Sequence, residues 1–206
     1  MQFRKWGEAT VAFGRNMPDV QYPNPILYLG ISGVLHPSES IYRVLFGRDP
    51  WKDGHTKYES LGFLAGALAA YPALRIVLTS TVPWKYGLPQ TLAWLGDIGD
   101  RVIAFTYEDL TTKVPATKSS KPMSDNDYWR LDKSSIVRSH VAWLEPPAWI
   151  VIDDEDILWD DDTRENRLVL TPGHCGLADL PTLDRLVEVM WKNFGRPTHE
   201  DMPPTF

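Results

Sequence analysis

Apolar residues gather into five short blocks along this chain, and four longer segments carry apolar positions at helical spacing. The blocks at 26–30, 74–78, 102–105, 149–152 and 168–170 have the length and continuity of buried strands. The first of them, Ile26-Leu27-Tyr28-Leu29, breaks at Gly30 and again at Gly33. Residues 58–71 place Leu61, Leu64, Ala65, Leu68 and Ala69 on one helical face, and Pro72 stops that helix. Residues 88–95 make a short helix. Residues 131–144 return to helical periodicity through Ile136, Val137, His140, Val141 and Leu144. Residues 180–194 close with an amphipathic helix on Leu183, Leu186, Val187 and Met190. Strands alternating with helices predict an α/β domain with a three-layer, Rossmann-like parallel sheet. Its ligand crevice should lie at the carboxyl ends of the strands.

The segments between these elements divide the chain. Residues 1–25 are polar and end in Pro and Asn, which predicts an irregular lead-in. Residues 26–194 form the α/β domain, and 195–206, with three prolines, form a mobile tail. Residues 37–55 are mixed, with Tyr42, Val44, Leu45 and Phe46 as a short amphipathic piece. The polar stretch 106–127 has the length of a binding loop, a lid or a disordered insert.

Length and composition narrow the class without naming a function. A chain of 206 residues, 43% apolar, fits one soluble domain of ordinary size. No apolar run reaches membrane-spanning length, and Met1–Trp6 lacks the apolar core of a signal peptide, so a cytoplasmic protein is expected. Cys175 is the only cysteine, which excludes an internal disulfide and a cysteine-rich zinc site. The formal charge of −6 argues against broad binding to a nucleic-acid backbone, which needs a basic face. The nine tryptophans are not interleaved with clustered Lys and Arg, so they read as packing residues rather than a base-stacking platform.

Candidate chemistry falls at the strand ends. The first strand runs into Gly30-Ile31-Ser32-Gly33-Val34-Leu35-His36-Pro37. The second ends in Leu78-Thr79-Ser80-Thr81, with Trp84-Lys85 following, and the fourth ends in Ile152-Asp153-Asp154. This series resembles the motifs of the haloacid dehalogenase (HAD) superfamily. It is most similar to the small HAD domains associated with RNA-repair proteins, whose first turn continues Gly-Val-Leu-His-Pro. The resemblance covers roughly 26–194 and implies a HAD-type sheet with no large cap domain. It puts Gly30 at the position of the nucleophilic aspartate and Ser32 at that of the acid/base aspartate. Thr79, with Ser80 as the alternative, takes the position of the hydroxyl that holds a phosphoryl oxygen. Lys133 takes that of the phosphate-neutralising cation, with Arg130 and Arg138 competing. Asp153 and Asp154 match the acids that hold the Mg²⁺ shell.

A glycine cannot attack phosphorus or ligate Mg²⁺, and a serine hydroxyl is too weak an acid to replace a carboxyl group. The scaffold therefore predicts a catalytically degenerate protein, a pseudophosphatase with a retained phosphate or anion pocket and weakened Mg²⁺ binding. Its partner would be a small phosphorylated ligand or a protein. Two alternatives remain: an active Mg²⁺-dependent phosphohydrolase with an atypical site, and a nucleic-acid repair accessory. Beyond the pair at 153–154, Glu155, Asp156, Asp160, Asp161 and Asp162 read as a solvated acidic loop. That loop lacks the glycine and terminal glutamate of a calcium loop. His174 and Cys175 are adjacent and so do not make a nucleophile–base pair; adjacent side chains seldom face each other.

Overall fold

In the computed structural model, which describes residues 23–38, 55–106 and 132–197, the five apolar blocks form five strands. These are β1 (Ile26–Leu29), β2 (Arg75–Leu78), β3 (Val102–Phe105), β4 (Trp149–Asp153) and β5 (Leu168–Leu170). All pair in parallel, in the order β3-β2-β1-β4-β5. The central strand, β1, is the most completely buried, with Ile26, Leu27, Tyr28 and Leu29 shut off from solvent.

Alternation along each strand sorts side chains into two layers. Leu27, Leu29, Ile76, Leu78, Ile150 and Ile152 face one core. Against them pack α1 (Leu61–Ala69), α3 (Leu88–Leu95) and α6 (Leu180–Phe194) through Leu64, Leu68, Leu95, Leu186, Val189 and Met190. Ile26, Tyr28, Val77 and Val151 face the other core, covered by Val137 and Leu144 of α4 (Lys133–Leu144). Here Tyr28 hydrogen-bonds His140 Nδ1 at 2.9 Å, so the hydroxyl buried in the middle of β1 is satisfied.

Several boundaries differ from the sequence pattern for local reasons. The helix expected at 58–71 begins only at Leu61, because Tyr58 takes a left-handed backbone at φ 58°. Asp153 is the last residue of β4, paired with Leu170, and not the first of the following loop. The helix expected from 131 begins at Lys133, where the Asp132 side chain caps it by accepting from the Ser135 N–H. Two short helices went unread, α2 (Val82–Tyr86) and α5 (Asp161–Asn166), as did the 3₁₀ turns Gly96–Arg101 and Gly176–Ala178.

Most of the lead-in, most of 37–55, nearly all of 106–127 and most of the tail lie outside the described residues, as does Arg130. Among the described residues no cap domain stands over the sheet, and no helix is long and apolar enough to cross a membrane.

Candidate functional site

Four strands, β1, β2, β4 and β5, stop level with one another and bring the candidate residues to one edge. The Gly30 N–H donates to the Ile152 carbonyl at 2.9 Å, Thr79 N–H to Leu29 at 2.9 Å, and Thr171 N–H to Asp153 at 2.9 Å. After β1 the chain turns back within six residues. Val34 and Leu35 N–H groups donate to Ile31, and Gly33 N–H donates to His36. Gly33 has φ +76°, which a side chain rarely tolerates, and a Cβ there would overlap the Asp154 side chain outright. The turn is fastened from outside by Thr171 Oγ1, which donates to the Gly33 carbonyl at 2.7 Å, and by Leu177 N–H, which donates to Val34 at 2.9 Å.

Asp153 sits at the centre, with no solvent exposure. Its Oδ1 accepts from Lys133 Nζ at 2.8 Å and from the Glu155 N–H at 3.1 Å. Its Oδ2 accepts from Lys133 Nζ at 2.8 Å and from Thr79 Oγ1 at 3.3 Å. An ionised carboxylate offers about four acceptor positions. All four are taken by protein donors. A Cβ on Gly30 would lie 2.6 Å from Asp153 Oδ2 and 3.1 Å from Val34 Cγ2. The carboxylate of Asp153 therefore borders the space where a side chain at position 30 would begin.

The charges follow from this packing. Burial opposes the charge on Lys133, but Asp153 and then Glu155 (3.7 Å away) outweigh it and hold the ammonium above the ordinary lysine range. Asp154 is pushed up to about 6 by burial first and by the neighbouring Asp153 second. Three carboxylates thus surround one ammonium.

Of the residues singled out in the sequence, Gly30, Thr79, Lys133 and Asp153 meet here. Ser32 lies beside them on the turn, where its Oγ is 3.5 Å from His36 Nε2. Ser80 is turned away, its Oγ accepting from Val82 N–H at 3.2 Å. Arg138 points outwards and pairs with Asp160 at 3.7 Å, so of the two candidate cations among the described residues it is Lys133 that meets Asp153.

The outer acids are only partly the solvated loop expected. Asp160 caps α5 by accepting from Thr163 N–H at 2.8 Å, and Asp161 and Asp162 fill its first turn, where the helix dipole favours negative charge. An Asp three residues before a Thr was the available signal. Burial and then Asp179 push the Cys175 thiol above its usual range, which disfavours the thiolate.

A second group of residues at this edge escaped the sequence pattern. His36 is buried beneath the turn and its ring meets Tyr58 edge-on, with centroids 5.2 Å apart. Lys57 lies directly over the Trp94 ring, with the Tyr58 and Tyr86 ring centres 5.6 and 5.3 Å from its Nζ. Burial and then Lys57 hold His36 down to about 4, and burial lowers Lys57 to about 8. No spacing in the sequence announces this cluster, since its members come from four separate segments.

No curated protein and no solved structure matches the chain. A family model does, over residues 26–180, which takes in all five strands and the whole strand-end cluster. With that match added to the parallel sheet and to the order of its strand-end residues, the chain belongs to the family described as the HAD domain in Swiss Army Knife RNA repair proteins.

Proposed function

We propose that this chain is a catalytically silent HAD-type domain that serves as a binding or regulatory module. One observation carries the reading: the carboxylate of Asp153, saturated by Lys133, Thr79 and the Glu155 N–H, closes over the place of the missing nucleophile at Gly30. In a well-studied covalent hydrolase, loss of the nucleophile costs about 10⁶ in rate, roughly 8 kcal/mol of barrier. Ser32 does not make good that loss, because its hydroxyl is not acidic enough to serve as the proton donor.

HAD proteins generally use Mg²⁺, and the residues here do not fit that ion. Mg²⁺ demands near-octahedral oxygen ligation. Of the acids matched to the Mg²⁺ shell, Asp153 has its acceptor positions filled and Asp154 is part-buried against the turn, while Glu155 leans on Lys133 at 3.7 Å. To bind, the ion must first expel the Lys133 ammonium from its carboxylate. A phosphate group at the same place meets a related obstacle: Lys133 and Thr79 both donate to Asp153, and the surrounding charge is negative. This supports a module whose ligand, a small phosphorylated molecule or a protein, is held at the rim of the strand ends rather than over Gly30.

The test is release of phosphate from a broad panel of phosphoesters by the purified chain, with and without Mg²⁺. No release above buffer is expected. Turnover that requires Mg²⁺ and disappears in Asp153→Asn would overturn the proposal and favour an active phosphohydrolase with an atypical site.

A further inference from the structure

The strand-end edge holds a second cation besides Lys133, and among the described residues its donors are unused. Glu59, the neighbouring carboxylate, is engaged by His55 Nδ1 at 2.8 Å and by Thr56 N–H at 2.9 Å. Among the described residues Lys57 has only ring faces for company, which leaves its three N–H donors without an acceptor. Two hydroxyls of the same segment, Tyr58 Oη and Ser60 Oγ, are buried and have no hydrogen-bond partner. Tyr58 is 7% exposed and Ser60 fully buried. An unpartnered buried polar group is costly and calls for a ligand or an ordered water. Tyr58 also holds φ 58°, a strained backbone for an aromatic residue, and such strain gathers at functional sites. Ser32 completes the set, its Oγ facing His36 on the neighbouring turn.

What these groups share is the capacity to donate: an ammonium and two hydroxyls with no acceptor among the described residues, and a third hydroxyl, Ser32 Oγ, held only by a long 3.5 Å contact to His36 Nε2. A neutral ligand would satisfy one or two of them. A phosphate group brings several acceptor oxygens and the charge that Lys57 lacks a partner for.

We propose that Lys57 is the core of a phosphate-binding subsite beside the β1 turn, separate from the Lys133–Asp153 centre. The ligand's phosphate takes the Lys57 ammonium and the Ser32 hydroxyl, reaching the buried hydroxyls of Tyr58 and Ser60 directly or through ordered water. The rest of the ligand lies against the rings of Tyr86, which is 44% exposed, and Trp94. The inference rests on the reading of the domain as a binding module and gives that module its ligand class.

The experiment is calorimetry of the full chain with inorganic phosphate, at constant ionic strength against chloride. Native protein and Lys57→Arg should bind saturably, within about threefold of each other, and Lys57→Met should bind at least about tenfold more weakly. A thermal melt of each variant checks folding. A second measurement needs no variant. In protein labelled with ¹³C-lysine, the Lys57 Cε resonance, displaced by the Trp94 ring, should move on phosphate addition.

Equal binding by Lys57→Met and native chain, or no saturable binding by native chain, would overturn the subsite. So would loss of binding in Lys133→Met with Lys57→Met unaffected, which would return the anion to the old centre. Mg²⁺-dependent turnover would instead defeat the silent-domain reading, a separate outcome read in a separate assay.

Discussion

Substituting Gly30 by alanine tests the central geometry with a single methyl group. The backbone there is not left-handed, so alanine meets no conformational strain, and the cost comes from what the methyl meets. The new Cβ would stand 2.6 Å from Asp153 Oδ2 and 3.3 Å from Asp153 Cγ. Something must shift, and Asp153 is fully buried and held by four hydrogen bonds. Overpacking a tight core costs about 1–3 kcal/mol, and full rupture of the buried pair with Lys133 about 3–5 kcal/mol. A partial displacement should therefore cost about 2 kcal/mol, offset only slightly by the smaller entropy of the unfolded alanine chain. With a urea dependence of about 2 kcal/mol per molar, the unfolding midpoint falls by about 1 M. Asp153→Ala removes the closest atoms and leaves only the 3.1 Å approach to Val34 Cγ2, so Gly30→Ala in that background should cost less than about 1 kcal/mol. The assay is a double-mutant cycle by urea unfolding. An equal cost in both backgrounds would refute the claim that Asp153 fills the space of the missing side chain, as would no cost in the native background.

Restoring both acids should restore a demand for metal. In Gly30→Asp/Ser32→Asp two further carboxylates join the three around the one ammonium, so Mg²⁺ should raise its melting temperature by about 5 °C and the native chain's by less than about 1 °C. Two buried titrations should oppose each other in acid. His36 is held down to about 4, so the folded state refuses a proton that the unfolded state takes below 6.5, and stability is lost as pH falls through that window. Asp154 is raised to about 6, so the folded state takes its proton early and stability is gained as pH falls from there. Urea midpoints between pH 7 and pH 4 should therefore fall more steeply in Asp154→Asn than in the native chain, and less steeply in His36→Gln; unchanged slopes in both would contradict these shifts. Glu145, exposed in a left-handed conformation at φ 47°, ends α4 where glycine is preferred, so Glu145→Gly should stabilise the fold by about 0.5–1 kcal/mol in the same unfolding assay.

The fold was legible because its strands are buried on both faces and so read as continuous apolar runs. The spans 88–95, 102–105, 168–170 and 180–194 match their elements end to end. Sequence pattern and structure differ where charge or backbone geometry overrides hydrophobic spacing. The acids at 160–162 read as solvent-exposed loop, although one caps α5 and the others suit its positive end. Tyr58 looked helical by spacing and is left-handed in fact. The strand-end residues could be placed in sequence, because each stands directly after an apolar run. The direction of the Asp153 side chain could not, since it depends on donors 20 and 74 residues away. Lys57 was invisible for the same reason: its rings come from separate segments.

That geometry changes how the missing acids at 30 and 32 bear on the rest of the site. A lysine at the strand ends needs a counter-charge, and removing a carboxylate at position 30 would leave one fewer. Asp153 supplies it, using both oxygens on the Lys133 ammonium. A carboxylate committed in this way is not available to a divalent cation. The pair and the ion compete for the same two oxygens, and breaking the pair costs about 3–5 kcal/mol before any metal ligand is gained. The arrangement that stabilises the present fold and the arrangement that phosphoryl transfer requires are thus alternatives. If the domain is silent as proposed, catalysis would need more than acids at 30 and 32: it would need Asp153 released from Lys133, which a metal bound beside it would have to repay.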